Sequence, residues 1–158
     1  LEHAHKYIKR DIGGIDKIKY YVLLYANGAF LNQNLIVQAM KKLDQNKKFD
    51  SCVGVVNADM FTPIRAKIIN RKNEIKPFVN LNYFKNITSN RDSAGCAYFM
   101  DLSLQIIKPI CFEKMNGNQK PFLWLGQKIL PFKKEFGGDI DATWQFTLLE
   151  NWLKKNFS

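Results

Sequence analysis

Gly137-Gly138-Asp139-Ile140-Asp141 sets two carboxylates two residues apart, directly ahead of an amphipathic C-terminal segment. In an extended chain, residues i and i+2 point to the same side. Two like charges held together call for a cation between them, and Mg2+ is the usual one where a nucleotide is bound. The paired glycines allow a sharp turn or a close backbone approach. The same residues also suit a structural use, with Asp141 as the N-cap of the following helix and Asp139 in a turn. The local pattern leaves both open.

A second candidate is the turn Tyr25-Ala26-Asn27-Gly28-Ala29, which follows an apolar run. Open α/β sheets bind ligands at the carboxyl ends of their strands, so Asn27 and Gly28 sit where a ligand would be met. The turn is neither GxGxxG nor a Walker loop, so it carries no phosphate signature. Of 24 cationic residues, 20 are Lys and only 4 are Arg. Arg65, in Pro63-Ile64-Arg65, could clamp a carboxylate or phosphate. Arg91, just before Asp92-Ser93-Ala94-Gly95, could line a ligand rim. Both are equally at home on a solvated surface. His3 and His5 have no Ser or Cys partner at a recognisable spacing, which supports neither a triad nor a zinc site. The Lys pairs at 41–42, 47–48, 133–134 and 154–155 are expected to be solvated. The three cysteines are odd in number and lack CxxC spacing, so no disulfide framework or zinc site is indicated, and Cys52 and Cys96 are expected to be small core residues.

The elements that must position these residues follow from length and patterning. The chain of 158 residues suits one α/β domain over 1–158, and 46% hydrophobic with 24% charged residues is ordinary globular composition. The net charge of +10 invites a phosphate-bearing partner. The scarcity of Arg argues against nucleic acid, and no Arg-rich or aromatic-interleaved face is evident. No apolar stretch reaches the ~18–20 residues of a membrane span. The N-terminus lacks a signal-peptide core, so a reduced, cytoplasmic protein with no membrane partner is expected. Residues 1–10 pattern as a helix. Tyr20–Tyr25 and Ser51–Val56 have the apolar pattern of strands covered on both faces in a parallel sheet. A helix capped by Asn32, with a Leu35, Ile36, Ala39, Met40, Leu43 stripe, lies between them, giving a βαβ order. Residues 64–79 suggest a hairpin around Arg71-Lys72-Asn73, and 80–93 a long surface loop. Residues 94–101 suggest another buried strand, 102–110 a short helix ending at Pro109, 121–133 one or two strands broken at Gly126 and Pro131, and 142–156 an amphipathic helix.

Taken in order, these features resemble the CMP-sialic acid synthetase (acylneuraminate cytidylyltransferase) family, and most closely its pseudaminic acid branch. The resemblance rests on Val22–Leu31 as the strand and turn, the strand Asp50–Val56, Pro63-Ile64-Arg65, Ala94-Gly95-Cys96-Ala97-Tyr98, and Asp139-Ile140-Asp141 with the final helix. It implies a Rossmann-like, three-layer nucleotidyltransferase fold with a mainly parallel sheet. It also implies transfer of CMP from CTP to an acidic nonulosonic sugar, with Mg2+ as cofactor and release of pyrophosphate. On this resemblance Asp139 and Asp141 are the catalytic metal-holding pair. Tyr25, Asn27, Gly28 and Gly95 face the substrates, and Arg65 or Arg91 meets the sugar carboxylate. Relatives often form homodimers, to which the 80–93 loop could contribute. Two departures stand out. Residues 1–20 show no counterpart of the family's Gly/Ser/Arg/Lys-rich triphosphate loop, so the chain is expected to represent the C-terminal two-thirds of such a fold. Gln145 stands where an acidic residue often follows the Asp pair. A binding or scaffolding domain that keeps the fold without catalysis is the competing expectation.

Overall fold

The structure is a computed structural model describing residues 1–157, apart from the Met60 side chain. Ser158, the last residue of the expected single domain, lies outside the described residues. The chain divides into two compact units, Leu1–Val55 with Met100–Ser158, and Val56–Phe99.

The first unit is built on a four-stranded sheet in the order β1-β5-β2-β6, formed by β1 (Tyr21–Leu23), β2 (Ser51–Asn57), β5 (Tyr98–Ile107) and β6 (Ile129–Lys134). β1 pairs antiparallel with β5. Lys108 N, just past β5, donates to Asp50 O, just before β2, so these neighbours are also antiparallel. Asp50 N donates to Lys128 O, so β2 and β6 start side by side and run parallel. The mainly parallel sheet expected from sequence is therefore corrected to a mixed one. The expected βαβ unit does form in sequence, with α2 (Gln33–Gln45) linking β1 to β2, but β5 separates the two strands. The apolar run of β2 is buried as expected over Ser51–Gly54, but β1 is an edge strand with Val22 exposed, so its expected cover on both faces is corrected too. An apolar run does not report the direction of the neighbouring strand.

β5 is the second correction. Residues 102–107 extend this strand where a short helix is expected, and they bury Ser103 and Gln105 with Leu104, Ile106 and Ile107. The buried Gln105 is satisfied locally, since Trp124 Nε1 donates to its Oε1 (2.8 Å) and its Nε2 donates to Leu102 O (2.8 Å). β6 runs unbroken through Pro131, which an edge strand tolerates because one side needs no ladder donor.

Successive strand residues pack into two apolar clusters, as the alternation of a pleated sheet requires. Cys52, Leu104, Ile106, Leu130 and Phe132 meet Ala39 and Leu43 of α2. Val53 and Ile107 meet Cys111 and Phe112 of α3 (Ile110–Glu113) and Leu125. The Asn32 side chain caps α2 by accepting from Leu35 N at 3.0 Å. α1 (Glu2–Asp11) is tied down by His5, whose buried ring stacks on Phe112 and bonds Tyr21 and Glu113. α4 (Gln145–Phe157) is anchored by the buried Trp152 against Phe30, at a centroid separation of 6.0 Å. Phe146, Leu148 and Leu153 of this helix are exposed, as is Trp144 just before it, while Leu149 is half-buried.

The second unit holds the expected hairpin, β3 (Lys67–Ile69) antiparallel to β4 (Ile75–Pro77). Asn70 Oδ1 accepts from Lys72 N and Glu74 N, and Asn73 takes φ 60°, so Asn chemistry closes the turn. Asp59 Oδ1 accepts from Ala97 N at 2.7 Å. Cys96 is exposed, against its expected core position. Among the described residues, no helix is long and apolar enough to cross a membrane.

Burial raises the thiols of Cys52 and Cys111 to about 11 and about 12. At pH 8, a thiol-specific reagent should therefore label Cys96 promptly, and Cys52 and Cys111 only after unfolding, as counted by mass spectrometry. Leu43→Ala, at a fully buried position, should cost about 3 kcal/mol in urea unfolding.

Candidate functional site

β1, β2 and β6 share one direction, so their carboxyl ends lie toward one edge of the sheet, the usual location of a ligand crevice in α/β proteins. Two chain segments meet there. After β1 the chain turns through Tyr25–Ala29, closed by Gly28 N donating to Tyr25 O at 3.1 Å. A Cβ on Gly28 would lie 2.5 Å from Ser103 Cβ, so this close approach to β5 requires glycine. After β6 the chain runs through Gly137–Asp141. Ile140 N donates to Asn27 O at 2.9 Å, and Asn27 Nδ2 donates to Asp141 Oδ1 at 3.0 Å. The structure thus joins Asn27 and Gly28 to the Asp139/Asp141 pair across more than a hundred residues. Tyr25 lies in the same turn with its side chain exposed.

The Asp pair is not used as a helix cap. α4 begins only at Gln145, and that side chain holds the segment. Gln145 Oε1 accepts from Asp141 N (2.7 Å) and Ala142 N (2.6 Å), while its Nε2 donates to Asp139 O (2.8 Å). A carboxylate at 145 could accept the first two bonds but could not donate the third. Asp139 is half-buried, and its Oδ1 is shielded from solvent with no hydrogen-bond partner among the described residues. Burial pushes its carboxyl above the ordinary value, and the nearby charges of Asp141 and Asp101 push in the same direction. Asp141 is exposed.

Asp101, Ser103 and Lys134 form a buried polar set that escaped the sequence reading. Lys134 Nζ donates to Asp101 Oδ2 and to Ser103 Oγ (3.0 Å), and Ser103 Oγ donates to Asp101 Oδ2 at 2.9 Å. Asp101 Oδ1 accepts from Gly138 N at 3.3 Å. The expected solvation of the 133–134 Lys pair is therefore corrected at Lys134. The signal was the alternation of β6, which buries Leu130, Phe132 and then Lys134. An apolar cavity of about 420 Å3, lined by Ala26, Asn27, Ala29, Ile140, Phe146 and Leu149, adjoins this segment.

Arg65, Arg91 and Gly95 belong to the other unit. Arg65 is exposed, and Arg91 is paired with Asp92 through Nε to Oδ1 at 3.0 Å. Gly95 takes φ 76°, with Gly95 N donating to Asp92 O at 3.1 Å. Among the described residues, no group of three His, Cys, Asp or Glu side chains is arranged to hold a metal ion. No family model matches the chain, and no characterised protein is significantly similar to it.

A carboxyl raised in the folded state contributes stability below its unfolded value, which is lost as pH rises through the folded one. Asp139→Asn keeps the shape and removes the charge. In chelator-containing buffer it should raise the melting temperature at pH 7, with the gain vanishing as pH falls below the ordinary value of 3.8. A gain that persists unchanged in acid would refute the electrostatic origin.

Proposed function

We propose that the chain carries the metal-facing part of a CTP-dependent nucleotidyl-transfer site that forms a CMP-sugar from an acidic nonulosonic sugar. The observation that carries this reading is the Asp139–Asp141 pair at the strand ends, with Asp139 Oδ1 shielded and without a hydrogen-bond partner among the described residues. Mg2+ is bound in many nucleotide enzymes by one or two carboxylates plus substrate phosphates and waters, so a two-carboxylate site suits it without a third protein ligand. Asp139 and Asp141 would hold the ion, which would neutralise charge on the phosphates. In the reaction, the sugar's anomeric oxygen forms a bond to the α-phosphorus of CTP. The bond from that phosphorus to the β-phosphate bridging oxygen breaks, pyrophosphate departs, and the hydroxyl proton passes to solvent or base. The protein's share is to position the reactants and shield the site. Asn27 orients Asp141 and offers its remaining amide capacity to the substrates. The +10 net charge favours capture of two anionic substrates.

A second reading, ligand binding without catalysis, is favoured by Gln145, which spends its side chain on holding Asp139–Ala142. One titration separates the two. CTP with Mg2+ should bind the full-length gene product and lose at least about tenfold in affinity in Asp139→Asn/Asp141→Asn. Pyrophosphate release on adding an acidic nine-carbon sugar supports the enzyme. Binding without release supports the binding domain, and no CTP binding by the full-length product removes both.

A further inference from the structure

The two segments that form the site rest on one buried ion pair. Lys134 and Asp101 have side chains 2% and 0% exposed. An ion pair so deeply buried is weak evidence for stability, since desolvating both charges offsets much of their attraction. Its neighbours are fitted to it. Gly54 packs against it, where a Cβ would approach Lys134 Cδ to 3.2 Å and Asp101 O to 3.1 Å. Ser103, bonded to both charges, is the residue against which Gly28 packs. The other Asp101 oxygen accepts from Gly138 N, one residue before Asp139. The pair therefore touches the Tyr25–Ala29 turn through Ser103 and the Gly137–Asp141 segment through Gly138.

We propose that Lys134, acting through Asp101, is a positioning residue that sets the Asn27–Asp141 site for its cation. In its metal aspect this rests on the nucleotidyl-transfer reading above. Lys134 and Ser103 together orient Asp101: its Oδ2 accepts from Lys134 Nζ and Ser103 Oγ, and its Oδ1 accepts from Ser103 N (3.2 Å) and Gly138 N. Asp139 and Asp141 are left to face the ligand. Without the ammonium, Asp101 keeps its Ser103 bonds but loses its only charged partner among the described residues, and the Gly138 tether loosens.

The test uses Lys134→Met, the double variant Lys134→Met/Asp101→Asn, which leaves no unpaired buried charge and so guards against misfolding, and Leu43→Ala as a destabilised reference distant from these residues in sequence. Two quantities are read on the full chain: Mn2+ uptake in the presence of CTP, from the electron paramagnetic resonance of free Mn2+, and the hydrogen-exchange rate of the Gly138 amide. Both Lys134 variants should weaken Mn2+ uptake by about tenfold or more and speed Gly138 exchange by a similar factor. Leu43→Ala should leave both within about twofold of native once compared at equal fraction folded. A folded double variant with native-like values for both, or Leu43→Ala moving both as far, overturns the proposal. If the native chain takes up no Mn2+ with CTP, the nucleotidyl-transfer reading fails on that result alone. The Gly138 amide then decides whether Lys134 sets the segment.

Discussion

The ammonium of Lys134 lies at the end of a row of buried β6 residues, after Leu130 and Phe132, where solvent cannot reach it. A charge in that position must be matched, and Asp101 and Ser103 match it. Meeting that demand shapes much of the local structure. β5 must bring polar side chains inward at 101 and 103. Position 54 leaves only tight room for a Cβ, and position 28 comes close enough to Ser103 to exclude one. The turn after β1 and the segment after β6 are thereby brought to the same buried group from opposite ends of the sequence.

Upon this base the site concentrates negative charge in a chain whose overall balance is strongly positive. Asp139 lies near both Asp141 and Asp101, and only Asp101 has a buried cation of its own. Asn27 gives Asp141 a neutral donor, and Gln145 fastens the backbone between the carboxylates and α4. Trp152, buried against Phe30, holds the helix that carries Gln145. The result is a carboxylate pair held by neutral groups. On the proposed reading, this acidic spot would take a metal–nucleotide complex; nucleic-acid phosphates would instead need cations lining the contact.

Much of this was legible beforehand, for reasons that differ by element. The Asn32 cap, the α2 stripe and the 67–77 hairpin follow from local chemistry, and all three form as expected. The strand-end rule picked out the Asn27-Gly28 turn, but its bonding to Asp141 is non-local and only the family resemblance placed the two segments together. Strand direction was not legible, because apolar runs record burial and not the neighbour's polarity. β5 was misread at 102–107 because buried Ser103 and Gln105 break an apolar pattern unless their partners are known. Lys134 was misread because a Lys pair suggests solvent, while its burial depends on an Asp 33 residues away.

The most direct test of the site is an anomalous-diffraction map of the chain crystallised with Mn2+ and CTP. The account predicts a single strong Mn2+ peak bonded to Asp139 Oδ1 and an Asp141 carboxylate oxygen, with the nucleotide phosphates completing its coordination and Asp101 still paired to Lys134. A nucleotide bound with no Mn2+ at these carboxylates, or a Mn2+ peak held elsewhere on the chain, would contradict it.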